Sequence, residues 1–203
     1  VSSLIIDLRE NGGGSLSAST VLTRYLKKQP FVIADTVESM NKHIQYNRYI
    51  NPSMVYNFAM TFTTAKKQDG KYHFRNLEHK KYQPYTKYHF DGDVYLLQGG
   101  FTFSAATMFI LQVKGQQNIK VVGEETGGGN YGTSAVYLPE IILPNSRLRI
   151  VQPLYRIVNN QHNVKNGKGI SPDMYIGPSS DYIKAGIDKK MEAVIKMIGE
   201  KKK

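Results

Sequence analysis

Cysteine is absent from the 203 residues of this chain, which excludes disulfides, thiolate catalysis and cysteine-based zinc sites within it. Long apolar runs are also missing, and none approaches the roughly 18 residues that span a bilayer, so we predict no membrane span. The chain does not begin with Met or with a signal-peptide pattern, and Val1 leads at once into the apolar run 4–6. We therefore expect a piece of a longer polypeptide with upstream domains, and the residues themselves leave the localisation unknown.

Acidic residues are scarce relative to basic ones: 16 Asp and Glu stand against 27 Lys and Arg, for a net charge of +11. The excess is concentrated between residues 42 and 90, where nine basic side chains face only Asp69 and Glu78, a local charge of +7. A basic segment of this kind attracts phosphates or acidic partners, although a solvated lysine-rich surface is the simpler interpretation.

Residues 35–90 fit no regular pattern and contain seven of the 14 tyrosines. We interpret them as an insertion or lid, with strands at 53–64 and 71–75, inside a core domain formed by 1–34 and 91–203. An alternative interpretation of residues 42–90 is nucleic-acid binding, in which bases stack on the tyrosines and the basic side chains contact phosphates. No nucleic-acid-binding motif accompanies the segment, so we predict no nucleic-acid partner.

One structural unit is repeated along the rest of the chain. Apolar segments at 3–8, 94–97 and 119–122 each end in glycines, and the first two are followed by helical patterns at 16–28 and 104–114. This order predicts βαβ units and a largely parallel sheet. Short segments at 134–138, 140–143 and 148–151 indicate a β-hairpin or meander, and 181–202 predicts a final amphipathic helix.

Ser104 lies where a predicted strand turns into a helix, and it is followed by the small residues Ala105 and Ala106. A serine in this position can act as a nucleophile, with the N–H of Ala105 beside it to stabilise an oxyanion. Helix N-capping is the ordinary alternative, because serine is a favoured cap. The glycines at 12–14 either approach a substrate or simply form a tight turn.

Four short motifs then resemble one family. Residues 6–14 (IDLRENGGG) resemble the Asp-Leu-Arg-x-Asn-x-Gly-Gly stretch of C-terminal processing (tail-specific) serine peptidases and of the tricorn protease core. Residues 103–106 (FSAA) are similar to the nucleophile motif of that family, 122–128 (VGEETGG) to its Gly-Glu-x-Thr-x-Gly segment, and 169–173 (GISPD) to its late Gly-[Val/Ile]-x-Pro-Asp. Their order from residue 6 to residue 173 makes the resemblance specific.

The resemblance implies an α/β fold of the crotonase and Clp-protease type, with stacked ββα units, a mostly parallel sheet and a small β-rich part. It also implies that Ser104 is the nucleophile and that the N–H groups of Ala105 and Gly13 (or Gly14) form the oxyanion hole. We expect Asp7, Arg9 and Asp173 to hold glycine turns through charge-assisted hydrogen bonds. No metal or organic cofactor is implied, and the expected partner is a peptide or protein substrate.

Two positions depart from the family. Where one branch has a lysine base the chain has Gly129, so it is more similar to the tricorn branch, whose base is a histidine upstream of residue 1. Where that branch has a carboxylate the chain has Asn166, which would orient the histidine by a hydrogen bond. His162 and Lys165 are further candidates for a base within the chain.

The sequence thus predicts a serine endopeptidase that cleaves peptide bonds, by resemblance near C-termini, through an acyl-enzyme on Ser104. The base is expected outside the chain, so the isolated segment would be inactive. The alternative is a catalytically inactive peptide-binding relative of the same fold. By family resemblance alone, the expected location is the bacterial cell envelope or periplasm.

Overall fold

The computed structural model describes residues 1–159 and 167–201. Its helices are α1 (Leu16–Leu26), α2 (Ser53–Thr63), α3 (Ser104–Val113), α4 (Ser180–Lys184) and α5 (Lys189–Glu200). Its strands are β1 (Ser3–Asp7), β2 (Phe31–Val32), β3 (Thr36–Ser39), β4 (Thr64–Lys66), β5 (Tyr72–Phe74), β6 (Lys81–Tyr82), β7 (Asp93–Gln98), β8 (Ile119–Gly123), β9 (Gly132–Ala135), β10 (Glu140–Ile142), β11 (Arg149–Val151), β12 (Tyr155–Val158) and β13 (Met174–Tyr175). Within the described residues, none of the helices combines the length and the hydrophobicity that crossing a bilayer requires.

The chain divides into two compact units. Of the described residues, the first unit contains 1–31, 82–130 and 167–201, and the second contains 32–81 and 131–159. The sequence predicts residues 131–159 to be part of the core domain, but two of their strands pair elsewhere: β12 lies between β3 and β9 in one antiparallel sheet. The second unit therefore extends beyond the predicted insertion at 35–90 by residues 32–34 and 131–159, whereas residues 82–90 of that insertion belong to the first unit.

The first unit is built on a parallel four-stranded sheet in the order β1-β7-β8-β13. Strand β7 is buried on both faces: Val94 and Leu96 pack in one apolar cluster with Phe109 of α3, and Tyr95 and Leu97 pack in another with α5. A strand covered on both faces is apolar at successive positions, which is why 94–97 reads as one continuous hydrophobic run. The α/β architecture with a parallel sheet confirms the predicted fold class.

The second unit contains a five-stranded antiparallel sheet in the order β4-β5-β3-β12-β9 and the hairpin of β10 and β11. Its core is aromatic, with the rings of Phe74 and Tyr155 packed edge to face at 5.5 Å. The strand predicted at 53–64 is wrong, because residues 53–63 form helix α2. The strand predicted at 71–75 is confirmed as β5.

The predicted C-terminal helix at 181–202 is interrupted and forms two helices instead of one. Gly186 has φ +66°, a conformation in which glycine carries no Cβ penalty, and it ends α4. The side chain of Asp188 then caps α5 by accepting a hydrogen bond from the Met191 N–H at 3.0 Å. The amphipathic pattern continues through the break between α4 and α5, so the sequence pattern does not indicate that the helix is interrupted.

Candidate active site

Two glycine-containing turns of the first unit meet beside Ser104. Strands β1 and β7 are parallel neighbours, so the turns that follow them leave the same edge of the sheet. The backbone N–H of Phe103 donates to the carbonyl oxygen of Asn11 at 3.1 Å, which joins the second turn to the first. A methyl group added at Gly13 would lie 2.7 Å from the Cβ of Ser104, so the first turn packs directly against that residue.

Thr102 fixes the two turns in this arrangement. It is fully buried, and its hydroxyl donates to the Leu8 carbonyl at 2.7 Å while accepting from the Gly99 N–H at 3.0 Å. A buried polar group without its partner costs about 1–3 kcal/mol. This single hydroxyl therefore connects the end of β1 to the turn that carries Ser104.

Replacing Thr102 by Val tests this connection, because valine keeps the shape and removes the hydroxyl. We expect Thr102→Val to lower the free energy of unfolding by about 1–3 kcal/mol, chiefly because the buried Gly99 N–H loses its partner, while the Leu8 carbonyl keeps its hydrogen bond from the Asn11 N–H. Urea denaturation measures the loss. Thr102→Ser is the matched control and should cost less than about 1 kcal/mol; equal losses in both variants would contradict the role of the hydroxyl.

The third and fourth motifs complete the same region. The hydroxyl of Thr126 donates to the Gly128 carbonyl and accepts from the Ile170 N–H, both at 2.8 Å. The Gly128 N–H donates to the Thr102 carbonyl at 2.9 Å, and a side chain at Gly128 would collide with Thr107 of α3. Thr126 therefore joins the third motif to the fourth, and Thr102, which directly precedes the second motif, joins the third motif to the first.

Ser104 has a conformation that few side chains adopt. It is the first residue of α3, with φ +50°, which costs a residue other than glycine about 1–2 kcal/mol. The N-cap of α3 is Phe103, which makes no side-chain capping bond, so Ser104 does not serve as the helix cap. Its side chain is half-buried, and its hydroxyl forms no hydrogen bond within residues 1–159 and 167–201.

The predicted oxyanion donors differ in their surroundings. The N–H of Ala105 lies in the first turn of α3, so it has no acceptor within the helix. It also bonds to no other described residue. The N–H of Gly13 donates to the side-chain oxygen of Asn11 at 2.9 Å. The Asn-Gly-Gly sequence is the signal that could have indicated this Asx turn.

A cavity of about 1180 Å³ opens beside the first turn and is formed within the first unit. Its walls include residues of both glycine turns and the charged side chains of Asp7, Arg9, Glu10, Glu124 and Lys190. No histidine lines it among the residues that the structure describes. Asn166, His162 and Lys165, the candidate orienter and bases, lie outside the described residues.

Four of the charged residues that line the cavity, Asp7, Arg9, Glu124 and Lys190, are ion-paired. Arg9 forms bidentate hydrogen bonds to Asp7, at 2.7–3.1 Å, and a 2.8 Å ion pair with Asp188 at the start of α5. The hydrogen bond from Arg9 holds the pKa of Asp7 below its ordinary value, and the pKa of Arg9 is raised chiefly by the same bond. Lys190 forms an ion pair with Glu124.

These pairs refine the predicted roles of the charged motif residues. Asp7 and Arg9 do lie beside the glycine turn. Asp173 instead binds strand β8, where its carboxylate accepts from the Val121 N–H at 2.8 Å and lies 3.4 Å from Lys114. Lys190 and Glu124 were not predicted as part of the site, because Lys190 has no signal beyond its place on an amphipathic helix.

Comparison with known proteins places the chain in a family. The family model described as peptidase family S41 matches residues 1–176. No curated protein shows significant similarity to the chain. Among solved structures, a putative peptidase from Parabacteroides merdae is 18% identical with a TM-score of 0.61, over 97% of this chain and 51% of that one.

Two further structures are similar in fold. A putative S41 protease from Bacteroides fragilis has 16% identity and a TM-score of 0.53, over 98% of this chain and 45% of that one. Mature CPAF in complex with lactacystin has 14% identity and a TM-score of 0.58, over 97% of this chain and 43% of that one. The chain thus spans about half the length of the structures that it matches.

Proposed function

This chain belongs to peptidase family S41, and we propose that it carries the nucleophile and oxyanion hole of a serine peptidase, with Ser104 as the nucleophile. The observation that carries the proposal is the contact between Gly13 and Ser104, which sets two glycine turns around one strained, half-buried serine. Strain of this kind is concentrated at functional sites. The N-terminus of α3 adds a positive dipole end beside the hydroxyl.

In the proposed reaction, a base removes the proton of the Ser104 hydroxyl as its oxygen attacks the carbonyl carbon of the scissile bond. The oxyanion that forms accepts hydrogen bonds from the N–H groups of Ala105 and Gly13, the latter exchanging its bond to Asn11 for one to the substrate. The base then returns the proton to the departing amine, leaving an acyl-enzyme that water hydrolyses.

The base of this reaction is proposed to be a histidine upstream of residue 1, as in the tricorn branch of the family. Gly129 supports this assignment, because it has no side chain at the position of the lysine base of the other branch, and its backbone is bridged to Gly169. Asn166 is proposed to orient that histidine. The resemblance also suggests cleavage near substrate C-termini and a location in the bacterial cell envelope.

Labelling of the complete protein by a fluorophosphonate probe tests the proposal. Only a serine activated by a base and an oxyanion hole reacts rapidly, so we expect one label per chain, located on Ser104 by peptide mass spectrometry. Ser104→Ala should abolish labelling. Ser179→Ala is the matched control, because Ser179 is also half-buried and directly precedes a helix without capping it by its side chain; it should label normally.

The alternative is a peptide-binding relative that has lost catalysis, which the departures at Gly129 and Asn166 favour. A folded complete protein that takes no label while it still binds a peptide would support this alternative and contradict the catalytic role of Ser104.

A further inference from the structure

The second unit exposes an apolar surface on helix α2. Met54, Val55, Phe58 and Phe62 are 82%, 61%, 67% and 72% exposed, and we call these four residues the α2 stripe. At about 100° per residue they lie within an arc of about 100°, so they form one continuous strip along the helix. The rings of Phe58 and Phe62 contact each other with centroids 4.5 Å apart.

The opposite face of α2 packs against the rest of the second unit. Met60 is 1% exposed, and Asn57 accepts from the Ile44 N–H and donates to Asn47, which holds the preceding 3₁₀ turn against the helix. The helix is therefore a fixed platform, and the stripe is the face that the folded unit leaves in solvent. The 11 residues of α2 include no charged side chain.

Exposed cations flank both ends of the α2 stripe. Arg48 lies in the 3₁₀ turn that precedes the helix, and Lys66 ends the strand that follows it. Arg75 lies beside the helix C-terminus, since its N–H donates to the Thr63 carbonyl at 3.2 Å. None of these three side chains forms an ion pair with a described residue.

Acidic side chains near the stripe are few, and each is ion-paired or hydrogen-bonded within the second unit. No Asp or Glu occurs between residues 39 and 68. Glu38 pairs with Lys71 and Arg156, Asp69 bonds to His73, and Glu78 pairs with Lys67. The field that remains around the stripe is therefore positive.

We propose that the α2 stripe docks on an anionic membrane surface, with its apolar side chains in the headgroup boundary and the flanking cations on lipid phosphates. Aromatic and aliphatic side chains gain from leaving water at that depth, and each nearby Lys or Arg adds to the attraction of an anionic leaflet. A second copy of this chain fits the stripe less well, because the cations at its ends would meet like charges in either relative direction of the paired helices.

Flotation with lipid vesicles tests the proposal on the complete protein. We expect binding to vesicles of phosphatidylcholine with about one quarter phosphatidylglycerol to be at least tenfold stronger than to phosphatidylcholine alone. The variant R48Q/K66Q/R75Q should lose about fivefold per cation. Raising the salt from about 50 mM to about 500 mM should weaken binding of the unaltered protein much more than that of this variant.

Substitution of the apolar residues of the stripe tests whether binding requires their insertion or only the attraction between charges. Phe58→Ser with Phe62→Ser should reduce binding at least tenfold, with circular dichroism unchanged because both side chains are exposed. Ile195→Ser is the control, since Ile195 is 58% exposed on α5 of the first unit. Binding that survives the double substitution would overturn the proposal.

A tryptophan placed in the stripe is a direct reporter when its emission is read as the difference between the variant and the unaltered protein. In an otherwise unaltered protein, Phe58→Trp should shift its emission to shorter wavelength with anionic vesicles, whereas Ile195→Trp should not. An unshifted spectrum for Phe58→Trp would contradict insertion. A stable dimer in sedimentation analysis, dissociated by the Phe58 and Phe62 substitutions and indifferent to vesicles, would assign the stripe to a second copy instead.

Discussion

Ser104→Ala in the complete protein should lower kcat/KM for peptide cleavage by about 10⁴–10⁶-fold, the loss seen when the nucleophile of a serine peptidase is removed. The physical reason is that Ser104 packs against Gly13 and directly precedes Ala105, the two residues whose N–H groups are proposed to hold the oxyanion. Steady-state hydrolysis of a fluorogenic peptide measures the effect. A loss of less than tenfold, in protein verified as folded, would contradict the role of Ser104.

Ser104→Gly provides a second readout of the same residue. Alanine keeps the Cβ that makes φ +50° costly, whereas glycine adopts this conformation freely. Both variants should be inactive, but the glycine variant should be more stable than the alanine variant by about 1 kcal/mol. Calorimetry of the complete protein should show the higher Tm for the glycine variant. Equal melting temperatures would mean that residue 104 is not strained.

Much of the first unit could be predicted from sequence because its signals are local. Strands β1, β7 and β8 are apolar runs ended by glycine, and helices α1 and α3 follow the first two with helical spacing. Their parallel order follows from the βαβ pattern.

The second unit could not be predicted as well, because its structure depends on distant pairing. Strands β3 and β12 are separated by more than a hundred residues and pair in register, Val37 with Ile157. Neither is long enough to show a clear alternation. Helix α2 is rich in aromatic and β-branched residues, which favour strands locally, yet it forms a helix that buries Met60 against the second unit.

The candidate site was predictable where a motif fixes the backbone and unpredictable where side chains from remote elements meet. Ser104 and Gly13 follow from the motifs, and the structure brings them into contact. The ion pairs of Arg9 with Asp188 and of Lys190 with Glu124 join residues far apart in the chain, and charge pairing across such distances has no local pattern.

Gly13→Ala should reduce kcat/KM by about 10²–10³-fold, the scale on which a misplaced oxyanion donor costs a hydrolase. Gly13 has φ +107°, which strains any residue with a Cβ, and the added methyl would meet the Ser104 Cβ at 2.7 Å and the Ala105 nitrogen at 3.1 Å. The first turn must then move away from the serine that it packs against.

The neighbouring glycines are the controls for this prediction. A Cβ at Gly12 meets nothing within 4 Å and needs no positive φ, so Gly12→Ala should change kcat/KM by less than about threefold. Gly14 has φ +135° and open space, so Gly14→Ala imposes backbone strain without the contact to Ser104. If activity falls equally in all three variants, the close approach of Gly13 to Ser104 is not what the reaction requires. A large loss in Gly13→Ala, with a smaller loss in Gly14→Ala and almost none in Gly12→Ala, ties catalysis to that approach.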